Sequence, residues 1–511
     1  MKRDGVLTSL WQKSMPDYES QTPLFDNNKD PYDVVIVGGG ITGLTTALQL
    51  QNAGKKCIVA ELHNIGFGTT AGTTAHLNTI FDTPYNIIEK DFGKDAAKHV
   101  CDFAKQAIAL AENNARTYEI DCGFEYKDGY VYSQDDKQTD LLKDMYESSL
   151  NAGCEVGYVD KIPIPIEFKK ALIFRGQAQI NPIEYIYGIA SAFEKAGGII
   201  LQNCRVTNVK GDDNLEVETS QGNINALSLI YATHIPPGVN ILHFRCAPYR
   251  SYVMAIKVKE DQYPDALAYD LYDPYHYYRT QIVDGEKYLI AGGEDHKTAH
   301  ESNTDMCFTK LESYLRKYFD IQEISYKWSS QYFEPADGLP YIGHLPGNPQ
   351  NVFVATGFGG NGITYSHVAA IVLTDLITKG TNEHSKLFDP NRIKPVAGFT
   401  NFVKENVDVV ARFVGKWFAS EKIEELAELA PGEAKIVKHD GHNIALYKDE
   451  KGVIHSVNPT CPHVKCAVGW NNAEKSWDCP CHGSRFSPDG VLLTGPARSD
   501  LEKIDIRKVM K

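Results

Sequence analysis

At 511 residues the chain is too long for one hydrophobic core and suits about three domains. Its formal charge of -14 at pH 7 argues against nucleic acid as a partner, since a phosphate backbone demands a basic face. No apolar run is long enough to span a bilayer, and Met1 to Gln21 lacks the apolar core of a signal peptide, so a cytoplasmic location is expected.

Residues 1–30 are polar and carry Pro16 and Pro23, which reads as an arm lying on the surface rather than a folded unit. The pattern then changes. Tyr32 to Val37 is a β-branched run typical of a buried parallel strand, and it leads into Gly38-Gly39-Gly40-Ile41-Thr42-Gly43. An apolar helical stretch from Leu44 to Ala53 follows, ended by Gly54, and Cys57 to Ala60 forms a second strand finishing at Glu61. This is a dinucleotide fingerprint in its full context. Gly38 permits the tight turn, Gly40 lets backbone approach a pyrophosphate, and Gly43 allows close helix packing. Ile41 and Thr42 sit at the helix N-terminus facing the phosphates, and Glu61 is placed to accept from ribose hydroxyls. The fingerprint alone leaves FAD and NAD both open.

Downstream segments bear on that choice. Gly66 to His76 is a Gly/Thr-rich loop containing Thr69, Thr70, Thr74 and Ala75. Far along the chain stand Asp337 to Gly343 and Val352 to Ile363, the latter with Gly357, Gly360, Asn361 and Gly362. These segments resemble the flavin-approaching loop and closing motif of the D-amino-acid oxidase and glycine oxidase superfamily. The resemblance implies noncovalent FAD, with a strand, a glycine turn and a helix N-terminus bringing amides to the isoalloxazine. Val206 matches the position whose backbone lies against adenine. Ala232 and Thr233 match the strand that returns beneath the FAD.

Between these segments, helical stretches are expected from Asp91 to Ala115 and from Ile183 to Ala196, and strands from Tyr126 to Tyr132 and from Ile199 to Leu201. The resemblance implies an α/β FAD-binding domain, Rossmann-like and of glutathione-reductase type, over about residues 31–90, 175–240 and 335–385. An antiparallel α+β substrate domain interleaves with it over about residues 91–174 and 245–334. The Tyr-rich strands after Arg245 would roof the flavin. Amino-acid oxidases of the superfamily clamp a substrate carboxylate with arginine, whereas the comparable stretch here is Phe333-Glu334-Pro335. A glutamate suits an ammonium. The expected substrate is therefore an amine held by Glu334, or a carboxylate held instead by Arg279.

The flavin part is expected to close by residue 400. Asn401 to Phe418 reads as an amphipathic helix within a linker over 401–430, and short strands then mark a small all-β domain over 431–511. That domain carries Cys461-Pro462-His463, fifteen intervening residues, and Cys479-Pro480-Cys481-His482-Gly483-Ser484. Each loop offers one thiolate and one imidazole, which suits zinc or iron–sulfur chemistry. The added Cys466 and Cys481 favour iron. The pattern resembles the Rieske [2Fe–2S] family, which implies Cys461 and Cys479 on one iron and His463 and His482 on the other. It also implies a Cys466–Cys481 disulfide, Ser484 as donor to a bridging sulfide, and a covering loop at Gly495-Pro496-Ala497. Phe486 stands where the high-potential branch has tyrosine, so an intermediate potential is expected.

From Tyr32 onward nearly all of the chain thus resembles FAD-dependent oxidoreductases of amino-acid-oxidase type with a C-terminal Rieske domain, the N-terminal arm lying outside the resemblance. This implies a dehydrogenase that oxidises a small amine or amino acid and passes electrons through the cluster to an external acceptor, a protein or quinone-like carrier. Reverse flow from cluster to flavin, or a non-catalytic redox sensor, are the competing readings.

Overall fold

The computed structural model describes residues 3–13, 15–21, 31–393, 429–439 and 441–505. The amphipathic helix expected at Asn401 to Phe418 lies outside the described residues. β1 (Tyr32–Val37), α1 (Ile41–Asn52) and β2 (Cys57–Ala60) begin a mixed sheet, in which β1 pairs in parallel with both β2 and the strand Gly222–Tyr231. Ile199–Leu201 extends this sheet beyond β2, and Val352–Thr356 and Tyr341–His344 extend it on the other side. Val34, Val35 and Ile36 are buried from both faces, the burial expected of a parallel strand.

The second sheet is largely antiparallel. β3 (Cys246–Val258) lies next to one edge of it, between Glu286–Lys297 and the edge strand β4 (Ile321–Pro335). It also takes in Tyr277–Val283, Leu267–Tyr269, Glu125–Ser133 and Lys170–Gln179, and it starts as early as His76–Leu77. The two sheets are therefore woven from alternating segments, the interleaving expected for a flavin-binding sheet and a substrate sheet. α2 (Gly362–Lys379) returns to pack on α1. The helix expected from Asp91 to Ala115 is two helices, Tyr85–Phe92 and Lys94–Thr117, because Gly93 adopts φ +97 between them. The C-terminal region forms two small antiparallel sheets, Ala434–His439 with His442–Lys448 and Ile454–Val457, and Gly469–Asn471 with Ser476–Asp478, Arg485–Phe486 and Leu492–Thr494. Among the described residues no helix is long and apolar enough to cross a membrane.

The first part of the N-terminal arm packs inward, whereas Pro16, Asp17, Glu19 and Gln21 are exposed as expected. Arg3, Asp4, Leu10 and Trp11 are each 2% exposed or less. Arg3 pairs with Glu474 at 3.1 Å, Arg485 pairs with Asp4 at 2.7 Å and with Asp478 at 3.0 Å, and Glu474 also accepts from the Ser329 amide of β4 at 2.8 Å. Trp11 donates to Thr73 O at 2.7 Å. Polar composition suggested exposure, but these charges neutralise one another inside the junction of arm, substrate sheet and C-terminal domain.

Candidate active site and metal centre

A cavity of about 580 Å³ opens at the C-terminal ends of β1 and β2 and runs under the substrate sheet. Gly38, Gly40, Ile41, Thr42 and Glu61 line one end, with Val206, Ala232 and Thr233 beside them. Thr69, Thr70 and Thr74 line its middle, and Gly360, Asn361, Gly362 and Ile363 lead to the far end. Gly43 does not face the cavity. A Cβ there would stand 1.9 Å from Gly38 O, so this glycine serves the contact of α1 with the turn. Gly38, at φ +115, lies so close to Ala232 O that a Cβ would meet it at 2.5 Å. Ala75 and Gly357 are also packed away: Ala75 O accepts from Arg279, and a Cβ on Gly357 would meet Cys246 Sγ at 3.2 Å.

Glu61 accepts from the Gly39 amide at 2.6 Å and the His63 amide at 2.8 Å, one on each oxygen. Burial raises its pKa and these two amides oppose the rise. Each carboxylate oxygen keeps further acceptor capacity toward the cavity. The bare glycine turn, the helix N-terminus and this acid make a cradle that fits a dinucleotide.

The far end is aromatic and acidic. Tyr269, Tyr275, Tyr277 and Tyr332 line it together with Asp82, Asp295 and Glu334. Asp82 accepts from the Gly360 amide at 2.6 Å and from Tyr275 Oη at 3.0 Å. It is exposed, but to the cavity, whose walls still raise its pKa. Asp295 accepts from Tyr332 Oη at 2.8 Å, while its Oδ1 is buried with no hydrogen-bond partner. Desolvation pushes the Asp295 carboxyl up to about 7. The lining arginines, Arg205 and Arg498, sit beside Val206 and Pro237 at the opposite end.

Arg279 is not part of this wall. It is fully buried, donating to Ala75 O at 2.7 Å, to Ile180 O at 3.0 Å and to Gln281, with its guanidinium over the Trp11 ring. Desolvation lowers its pKa to about 9. The expectation that Arg279 clamps a carboxylate is corrected: it does not line the cavity, its terminal nitrogens donate to Ala75 O, Ile180 O and Gln281 Oε1 in the core, and it pins the Ala75 loop against the arm. Sequence reasoning missed Asp82 and Asp295. Their only local signals were an acid just before the turn Thr83-Pro84 and another after the Gly292-Gly293 pair.

In the C-terminal domain, Cys461, Cys479 and His482 are buried and His463 half-buried. The His463 and His482 rings lie 5.0 Å apart at 89°. His463 Nε2 pairs with Gly238 O at 2.8 Å, and the Nδ1 atoms of both histidines are buried without a partner. An Nε2–H donated to the carbonyl leaves the His463 Nδ1 lone pair free for a metal. Burial lowers both imidazole pKa values, that of His482 to about 3, which keeps them neutral as ligands require. Hydrogen bonding from Cys479 lowers the Cys461 thiol. Cys466 and Cys481 form a disulfide, and although their sulfurs and that of Cys479 lie within 4.8 Å of one another, bonded sulfurs are poor ligands. The donor set is thus two thiols and two orphaned imidazole nitrogens, which fits a [2Fe–2S] cluster with mixed ligation. Ser484 Oγ accepts from the Ala497 amide at 3.0 Å, Phe486 is fully buried, and Pro496 O accepts from the Gly238 amide at 2.9 Å.

Fold and sites define a flavin-dependent oxidoreductase with an iron–sulfur domain. A family model described as FAD dependent oxidoreductase matches residues 33–376, and one described as Rieske [2Fe-2S] domain matches residues 416–505. The chain belongs to the FAD dependent oxidoreductase family, carries a Rieske domain, and binds FAD and a [2Fe–2S] cluster. It is 33% identical over 477 residues, 93% of either chain, to YhfW of Bacillus subtilis (strain 168), named as a Rieske 2Fe-2S iron-sulfur protein. It is 25% identical to gamma-glutamylputrescine oxidoreductase of Escherichia coli (strain K12), over 68% of this chain and 83% of that one. Among solved structures, glycine oxidase from Geobacillus kaustophilus superposes with a TM-score of 0.60 at 18% identity, covering 71% of this chain and all of that chain.

Proposed function

We propose that this protein is a dehydrogenase of cationic amines, which oxidises its substrate at noncovalent FAD and sends the electrons through the Rieske cluster to an external one-electron acceptor. FAD supplies a two-electron hydride acceptor and the [2Fe–2S] cluster a one-electron carrier, so together they match an amine donor to a one-electron acceptor.

The observation that carries the substrate class is the charge of the far end of the cavity. Asp82, Asp295 and Glu334 face it among tyrosines, and no lysine or arginine lines that end among the described residues. An ammonium group is attracted by the carboxylates and by the faces of Tyr275 and Tyr332, whereas a carboxylate would meet like charge. Asp82 also holds the Gly360 amide, which orients the turn entering α2. The amine named in the Escherichia coli relative is in keeping with this class.

The test is a screen of mono- and diamines against zwitterionic and anionic amino acids, with an artificial one-electron acceptor. Turnover is expected with amines and should fall when Glu334→Gln or Asp295→Asn is introduced. Turnover confined to amino acids, or unchanged by both substitutions, would refute the assignment.

A further inference from the structure

One short segment of the Rieske domain separates its cluster ligands from the dinucleotide end of the cavity. On one side Leu492, Thr494, Gly495 and Arg498 line the cavity across from Glu61 and Val206. Several polar contacts fasten it there. Leu492 O meets His63 Nε2 at 3.2 Å, Pro496 O accepts from the Gly238 amide at 2.9 Å, and Arg498 donates to Pro237 O at 3.3 Å. Asp500 accepts from the Leu492 amide at 3.0 Å and from Arg205 at 2.8 Å. Gly238, at φ +85, lets the Arg498 guanidinium come so near that a Cβ would meet it at 2.8 Å.

On its other side the same segment is core of the cluster domain. Leu492 and Ala497 are 3% exposed and pack in one cluster with Cys461, Cys479 and Cys481. The Ala497 amide donates to Ser484 Oγ. Any shift of this loop therefore moves a wall of both sites at once, because a packed interior does not deform continuously.

We propose that Leu492–Arg498 is a clamp on the adenosine half of FAD, so that the flavin is retained tightly only when the Rieske domain is folded around its cluster. This rests on the reading that the cavity holds FAD. The coupling is reciprocal: the factor by which cluster loading tightens FAD equals the factor by which FAD stabilises the loaded cluster domain. It gives the enzyme a check that electrons are not delivered to a flavin lacking an exit, since a chain without the cluster would release FAD.

The experiment measures FAD dissociation constants by flavin fluorescence on the full chain, in cluster-loaded wild type, in wild type stripped of iron, and in cluster-loaded Arg498→Ala. The iron-stripped form is taken only if its far-ultraviolet circular dichroism is retained. The expected result is a dissociation constant at least about tenfold higher in both altered forms, a coupling within the usual range. In parallel, removing FAD from wild type is expected to change the visible circular dichroism of the cluster, a readout that needs no variant. Equal FAD affinity in all three forms, with cluster spectra indifferent to FAD, would overturn the clamp while leaving the flavin site intact. Failure of loaded wild type to bind FAD at all would overturn both.

Discussion

His463 Nε2 pairs with the carbonyl of Gly238 at 2.8 Å, so a candidate ligand histidine of the C-terminal domain is hydrogen-bonded to the flavin domain. His243 and Phe244 complete this contact, with the His243 ring 4.7 Å from His463 and Phe244 5.5 Å from His482. The two imidazoles are thus turned toward the flavin body.

The buried charges that join the arm to both domains make the first prediction. Removing one partner leaves uncompensated charge in a dry junction, a loss of about 3–5 kcal/mol. Arg485→Met removes the guanidinium shared by Asp4 and Asp478 and should lower the unfolding midpoint in urea and open the Rieske junction to limited proteolysis. Deleting residues 1–13 should do the same, since it takes Arg3 from Glu474 and leaves Arg485 with only one of its two carboxylates, Asp478.

This junction should also be sensitive to acid. Against the cost of burial, Arg485 holds the carboxyls of Asp4 and Asp478 below their usual value of 3.8. A carboxyl whose folded pKa is depressed stabilises the fold above its unfolded pKa and loses that contribution as pH falls through the folded one. Domain docking, followed by small-angle scattering, should persist down to about pH 4 and weaken below it.

Asp295 behaves in the opposite sense. Its pKa is raised to about 7, so the free enzyme gains a cavity carboxylate as pH rises through that value. The kcat/KM for an amine should rise across the same window. Asp295→Asn should abolish that limb and lower kcat/KM by about 10–100-fold, measured from pH 5.5 to 8.5.

Arg279→Lys tests the reassignment of that residue. One ammonium cannot reach the three acceptors that the guanidinium spans, so the Tm should drop, consistent with about 2 kcal/mol or more lost from a buried network. The KM for substrate should stay unchanged in the folded fraction. A selective rise in KM for carboxylate substrates would restore the clamp role.

Phe486→Tyr tests the tuning of the cluster. The ring is fully buried in one hydrophobic cluster with Cys461 and Cys479, and a hydroxyl that donated to a ligand sulfur would stabilise the reduced cluster. The reduction potential, by redox titration, should move upward from an intermediate starting value.

The glycine turn and the Rieske-type pattern of the C-terminal domain were legible in the sequence because each answers to a local constraint. Gly38 and Gly43 are demanded by contacts within the β1–α1 unit and with Ala232, and the two Cys-x-His loops carry their donors at short spacing. The interleaving of sheets was legible only through resemblance. Asp82 and Asp295 gave no such signal, since the turn that Asp82 holds is 278 residues away. The arm was misread for the same reason. Asp4 is buried by Arg485, 481 residues distant, and nothing near it in the chain announces that partner. Arg279 looked available because a sequence does not show that Ala75, Ile180 and Gln281 already occupy its donors.

The central claim is that electrons enter at the amine end of the cavity and leave through the Rieske domain. Anaerobic rapid mixing of the oxidised holoenzyme with an amine substrate tests it most directly, with flavin absorbance and the electron-resonance signal of the reduced cluster followed together. The account predicts that flavin bleaching comes first and that the cluster signal grows at its expense. Cluster reduction ahead of the flavin, or flavin reduction that never reaches the cluster, would contradict it.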